Sequence, residues 1–94
     1  MNRVESLELL EATNPFPGSF MIKAIGKSEG DFVSRVIQAV RQSLELEFDP
    51  PHSVRETAGA RHVSVTIEPW CETAEDVLTV YDALKETDGL VLLL

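Results

Sequence analysis

The chain has 94 residues, of which 44% are hydrophobic and 26% charged, the composition of one small folded domain and not of a disordered segment. Sixteen acidic and eight basic side chains give a net charge of −8, which opposes binding to the phosphate backbone of nucleic acid. A single cysteine excludes an internal disulfide and a multi-thiolate metal site, and such low cysteine content is typical of the reducing cytoplasm.

Neither end of the chain has the character of a signal or a membrane segment. The start, "MNRVESLELLEATNP", carries several glutamates and no long apolar stretch. The final "LVLLL" is far shorter than the roughly 20 residues that span a bilayer. We therefore expect a cytoplasmic protein with no membrane association. Residues 1–17 are predicted as an N-terminal arm with one short helical turn around Leu7 and Leu10, because the prolines of "NPFP" oppose any continuation of helix.

Residues 18–94 are predicted to form the domain, which begins with a strand and a helix. The alternation of apolar residues from position 19 to 25 predicts a strand, and Gly26 is expected to end it. Ser28, with Asp31 three residues later, predicts the capped start of a helix. Apolar residues then recur at helical spacing over positions 32–44, which indicates one buried face.

The second half of the domain repeats this alternation of strand and helix. "SVRETAGARHVSVTIE" predicts a hairpin with its turn at residues 57–60, and Trp70 beyond it is expected to pack under the loop. Thr73, with Asp76 three residues later, predicts the cap of a second helix. A final strand, "LVLLL", follows Gly89.

The predicted order is strand, helix, strand, strand, helix, strand. This order predicts an α+β fold, the ferredoxin-like βαββαβ sandwich, with a four-stranded antiparallel sheet and both helices on one face. Right-handed crossovers place the first and third strands in the centre of that sheet. The opposite face of the sheet is expected to lie open.

The stretch "IKAIGKSEGDF" contains Gly-Lys-Ser between the first strand and the first helix, as in a nucleotide-binding P-loop. The complete motif also needs an earlier glycine, and Met21 stands in its place. One interpretation is a simpler anion site at the helix start, formed by Lys23, Gly26, Lys27 and Ser28. The competing interpretation is a turn glycine beside solvated lysines, and both stay open.

Catalytic and metal sites are not predicted. "GKSEGDFVSR" resembles the phosphate-binding loop of acylphosphatases only faintly, and Arg35 is expected to pair with Asp31. Cys71 precedes a helix start, but neighbouring glutamates oppose thiolate formation, so an inert thiol is predicted. His52 and His62 have no spacing that ties them to a nucleophile or to a metal-ligand motif.

The final strand is apolar on both sides, although only one side of an edge strand can face the helices. We predict that it is covered by the arm, through Leu7, Leu10 and Phe16, or by a second copy of the chain that joins the sheet edge or the open face. The predicted interface residues are Leu90, Val91, Leu92 and Leu93.

Three stretches together resemble the YbeD-like proteins, a bacterial family of small domains of unknown function: "NPFPGSFMIKAIG", "RETAGARHVSVTI" and "VLTVYDALKETDGLVLLL". The resemblance extends over residues 7–94, with Ala24 where the family has valine. It implies a ferredoxin-like fold similar to ACT-type regulatory domains, which pair through their sheets and bind amino acids near the first strand–helix turn. It implies no established catalysis, and no cofactor is predicted.

The leading functional hypothesis is a non-enzymatic, ACT-like regulatory module that senses a small anionic metabolite. The alternative is an adaptor that binds an unidentified protein partner through the acidic second helix or the strand edge. A weaker alternative is a small acylphosphatase-like hydrolase.

Overall fold

The computed structural model describes residues 2–57 and 59–94, and over these it contains three helices and two antiparallel sheets of four and two strands. This confirms the predicted α+β class. In chain order the elements are α1 (Arg3–Thr13), β1 (Gly18–Ser19), β2 (Ile22–Lys27), α2 (Phe32–Ser43), β3 (His52–Glu56), β4 (His62–Ile67), β5 (Trp70–Cys71), α3 (Ala74–Lys85) and β6 (Leu90–Leu93). No helix in the described part of the chain is long and apolar enough to cross a membrane.

The larger sheet has the strand order β3-β4-β2-β6, so β2 and β4 are central. Ala24 of β2 stands opposite Val65 of β4, and Ile22 stands opposite Ile67. These four residues are fully buried, and the positions between them are exposed or half-buried. Because alternate residues of a strand face opposite sides, the sheet has one buried face and one face that meets solvent.

Both long helices of the predicted domain, α2 and α3, pack on the buried face. Val36 of α2 and Val80 of α3 join Val65 of the sheet in one hydrophobic cluster, and Tyr81 packs against that cluster. The two helices also contact each other. The prediction that two helices cover the same side of the sheet therefore holds in the structure.

The first strand and the first domain helix begin later than predicted. Ser19 belongs to β1, which pairs with β5 in the small sheet, and β2 continues through Gly26, which was expected to end it. The predicted cap at Ser28 is wrong: α2 begins at Phe32, and its N-cap residue Asp31 makes no side-chain capping bond. The hydroxyl of Ser28 instead donates to the carbonyl oxygen of Ala60 in the hairpin turn.

Two other local predictions have opposite outcomes. The Thr73 hydroxyl accepts a hydrogen bond from the backbone N–H of Asp76 at 3.3 Å, as predicted for the cap of α3. The predicted pairing of Arg35 with Asp31 does not form. Arg35 lies beside the turn before β6, where its guanidinium donates twice to the Asp88 carbonyl oxygen, at 3.2 and 3.3 Å.

The arm forms an 11-residue helix, α1, longer than the single turn predicted. Asn2 caps it by accepting the backbone N–H of Glu5 at 2.9 Å. Arg3 binds two carboxylates of α3: its Nε lies 2.9 Å from Glu75, and its Nη1 lies 3.2 Å from Asp82. The arm therefore lies against the helical layer, and exposed leucine and valine side chains remain on β6.

Candidate functional site

Gly26 contributes to packing and not to a phosphate-binding loop. It lies in β2 opposite Val63, on the buried face, and the ring of Phe32 is packed directly over it. A Cβ at this position would come within 3.0 Å of three ring carbons of Phe32. The glycine of the Gly-Lys-Ser sequence thus makes room for the first aromatic residue of α2, six positions later.

The other three predicted ligand residues are not gathered around Gly26. Lys23 and Lys27 extend from the opposite face of β2, where they stand opposite Thr66 and His62. Residues four apart in a strand are separated by about 13 Å, so one small anion cannot contact both backbone positions. The hydroxyl of Ser28 is engaged by the hairpin turn. The structure therefore divides the predicted site between two faces of the sheet.

A basic corner remains at one end of the sheet. Lys27, Ser28, Glu29, Arg61 and His62 line a shallow concavity of about 390 Å³. Three of these residues, Glu29, Arg61 and His62, were not predicted as ligands, and Arg61 and His62 are the two that could bind an anion. The signal that could have found them is the hairpin register, because β4 brings His62 opposite Lys27 and Arg61 immediately before it.

The face of the larger sheet that points away from α2 and α3, here called the open face, combines apolar and cationic side chains. Ile25 lies at its centre, with Lys23 and Lys27 on either side along β2. Leu92 of β6 stands opposite Ile25, and Arg55 of β3 stands opposite Ser64 in the same row. The aromatic platform of sheets that stack RNA bases is absent from these positions.

The predicted interface residues of β6 face two different sides, the core and the solvent. Leu90 and Leu93 point inward and pack against the core cluster, whereas Val91 and Leu92 are 54% and 48% exposed. Leu94, beyond the strand, is 58% exposed and is held opposite Lys23 by two backbone hydrogen bonds. In the described residues β6 pairs only with β2, so its outer edge carries free backbone groups.

Trp70 does not pack under the loop, and that prediction is wrong. Its side chain is 57% exposed, and the indole Nε1 donates to the carboxylate of Glu72 at 3.0 Å. The reason is the pairing of β5 with β1. Cys71, opposite Gly18, takes the buried position of this short strand, and the alternation of side chains then places Trp70 on the outside.

Cys71 is buried, and burial raises the pKa of its thiol to about 11, with a further contribution from the nearby Asp76 carboxylate. From the sequence, the neighbouring glutamates were expected to oppose thiolate formation. In the structure, desolvation is the larger cause of the raised pKa. Both effects disfavour a nucleophilic thiolate. No group of three metal-ligating side chains occurs among residues 2–57 and 59–94.

We predict that native Cys71 reacts with a thiol reagent such as DTNB at least about a hundredfold more slowly at pH 8 than in the chain unfolded by urea. The rise of the thiol pKa from an ordinary 9.0 to about 11 alone lowers the thiolate fraction at pH 8 by this factor. Because folding favours the protonated thiol, the stability linked to its burial is present below pH 9.0 and is lost as the pH rises through about 11. Equal reaction rates in the folded and unfolded chains would contradict the prediction.

Taken together, these features define a small α+β domain with one sheet face covered by helices and the other available for contact. The chain belongs to the DUF493 family of proteins of unknown function, whose family model matches residues 11–94. This confirms the resemblance to the YbeD-like proteins over the whole predicted domain and the end of the arm. No curated protein matches the sequence.

Proposed function

We propose that this chain is a cytoplasmic, non-enzymatic binding module that pairs with a second copy of itself through β6. The observation that carries the proposal is the uncovered apolar surface of that edge strand, formed by Val91, Leu92 and Leu94. Exposed apolar strand edges are sites of further strand pairing. The arm was the other predicted cover for this surface, and it lies on α3.

The strand order supports a ferredoxin-like, ACT-like interpretation of the fold. In such a sheet the first and third strands are central, and here β2 and β4 occupy those positions, with β3 and β6 at the edges. The resemblance to ACT-type domains implies pairing through the sheet, and β6 is an edge strand to which a second copy can hydrogen-bond. Regulation by assembly is the function class that this geometry favours.

The two edges of the sheet differ in their protection against pairing. β3 carries His52, Arg55 and Glu56 and is preceded by Pro50 and Pro51, and charges and prolines are the devices that natural edge strands use against association. β6 contains only leucine and valine. An antiparallel β6–β6 contact about a two-fold axis would double the four-stranded sheet and bring the exposed leucines of both copies together.

The matched variants Val91→Lys and Val54→Lys test this proposal. Each places the same charge at a half-exposed valine of an edge strand, on β6 and on β3 respectively. Sedimentation equilibrium is expected to show a dimer for the native chain and for Val54→Lys, and a monomer for Val91→Lys, because a buried lysine without a partner opposes the contact. A native chain that stays monomeric at high micromolar concentration would refute the pairing.

A second candidate function is the sensing of a small anion at the basic corner. The observation that favours it is the approach of Lys27, Arg61 and His62 around one concavity, with the Ser28 backbone N–H bonded to the Arg61 carbonyl oxygen at 3.1 Å. Glu29 on the rim opposes this function. An anion held here would be a carboxylate or a phosphate, the groups that lysine and arginine bind.

Thermal-shift measurements with amino acids, other carboxylates and inorganic phosphate test the sensing function. We expect stabilisation by at least one compound, lost in Lys27→Ala and retained in Lys85→Ala, which removes an exposed lysine from the last turn of α3. The absence of any shift in the native chain, or an equal loss in both variants, would remove this candidate.

A further inference from the structure

The distribution of charge on this chain is strongly one-sided. The net charge is −8, and the helical layer carries many of the carboxylates: α1 has Glu5, Glu8 and Glu11, and α3 has Glu75, Asp76 and Asp82. The outward positions of the four strands instead carry Lys23, Lys27 and Arg55. Two carboxylates adjoin this set: Glu29 lines the concavity that also contains Lys27, and Glu68 follows the end of β4. The open face is thus a cationic surface on an acidic protein.

The cations of the open face surround apolar side chains. On β2 the outward sequence is Lys23, Ile25, Lys27, in which each residue is about 6.6 Å from the next. Leu92 adjoins Ile25 across the sheet, and Leu94 adjoins Lys23. Met21, two residues before Lys23, is 61% exposed. This is an apolar patch with a positive charge on each side of its centre.

We infer that the open face binds an extended acidic segment of another protein, in which one apolar residue lies between two carboxylates in the pattern acid–x–apolar–x–acid. An extended chain repeats its side chains every two residues on one face, with the same spacing as β2. The apolar side chain of the segment would lie on Ile25 and Leu92, and its two carboxylates would meet Lys23 and Lys27. Arg55 extends the positive surface toward β3.

Charge excludes the other simple occupants of this face. A second copy of the chain in a symmetric face-to-face contact would place lysines against lysines, which is repulsive. A nucleic acid would meet a protein of net charge −8. An anionic membrane would be attracted by only three cations while the carboxylates of the chain repel it. A short acidic segment contacts the cations without approaching the helical layer.

The inference does not rest on self-association through β6, and its test keeps the two apart. The probe is a ten-residue peptide with Glu-Thr-Leu-Thr-Glu at its centre. One control peptide has glutamine in place of both glutamates, and a second has the same composition in the order Glu-Glu-Thr-Thr-Leu. NMR titration of the isotope-labelled full chain should show shifts on β2, β4 and β6 with the first peptide and much weaker ones with both controls.

Lys23→Glu and Lys85→Glu form the matched pair of protein variants, because each reverses one exposed lysine on a different face. Lys23→Glu is expected to weaken binding about fivefold or more, the size of one lost exposed ion pair, while Lys85→Glu leaves it within about twofold. Val91→Lys should still bind, whether or not it changes the oligomeric state.

Several outcomes would overturn the inference. If the scrambled peptide bound equally well, the order of residues would not matter for binding. If the glutamine peptide bound equally well, the negative charges would not matter. Equal losses of peptide affinity in Lys23→Glu and Lys85→Glu would show that binding depends only on the overall charge of the chain. Binding to phosphatidylserine vesicles that Lys23→Glu abolishes, without binding of the peptide, would assign the face to a membrane surface.

Discussion

Replacing Gly26 by alanine is expected to lower the free energy of unfolding by about 3 kcal/mol, the upper part of the range for an overpacked core. Gly26 is buried in a central strand, and the added Cβ would come within 3.0 Å of three carbons of the Phe32 ring. The base of that ring is already close to Gly89, where a Cβ would lie 3.3 Å from the ring carbon Cδ1, so the ring has little room to move that way. Urea unfolding followed by circular dichroism measures the loss.

The cause of the Gly26 effect is isolated by one control and one second substitution. Gly59→Ala makes the same chemical change in the hairpin turn, where nothing lies within 4 Å of the new Cβ. Its cost is limited to the positive φ of 84° and is expected to be about 1 kcal/mol. The double variant Gly26→Ala/Phe32→Leu should lose less free energy of unfolding than the sum of the losses in the two single variants. Equal costs at Gly26 and Gly59 would show that the ring contact is not responsible.

The parts of the fold that could be predicted are those encoded by local pattern. The hairpin follows from alternation on both sides of a glycine-containing turn, and the cap of α3 follows from Thr73 and Asp76. The role of Gly26 could not be read in this way. A glycine after an apolar run has the local character of a turn, and only the packed structure shows that an aromatic ring needs its missing side chain.

Trp70 illustrates the same difference between local and tertiary information. The sequence places it after a central strand, which favours burial, but its actual side is decided by the pairing of Ser19 with Trp70 and of Gly18 with Cys71. Ser19 was expected to begin the first strand of the main sheet. The pairing of Ser19 in this short strand therefore decides the exposure of a residue 51 positions away.

The lysines of the open face are visible in the sequence, but the strand register that sets their neighbours is not. Lys23 and Lys27 were expected to surround a helix start together with Gly26 and Ser28. The pairing of β2 with β4 instead aligns Lys27 with His62, and the pairing of β3 with β4 brings Arg55 into the same layer. The residues that give the open face its charge thus come from β2 and β3, which are separated by β4, and their proximity depends on contacts between distant segments.

The substitution Phe32→Ala is expected to have the largest effect, a loss of about 4 kcal/mol in the free energy of unfolding. Phe32 is 1% exposed and lies where α2, β2 and the turn before β6 meet, over both Gly26 and Gly89. Two glycines beneath one ring leave no neighbouring Cβ at these positions to fill the space after truncation. A domain of this size is commonly stable by only 5 to about 10 kcal/mol, so the variant should unfold at much lower urea concentration.

Phe48→Ala is the matched control for Phe32→Ala, because it is the same truncation at a ring that is 78% exposed in the loop between α2 and β3. It should change the free energy of unfolding by less than about 0.5 kcal/mol, as surface substitutions generally do. If Phe32→Ala were as mild as Phe48→Ala, the ring would not be a principal contact of the core. The explanation of Gly26 as the residue that makes room for it would then fail as well, and the Gly-Lys-Ser sequence would again need a functional reason.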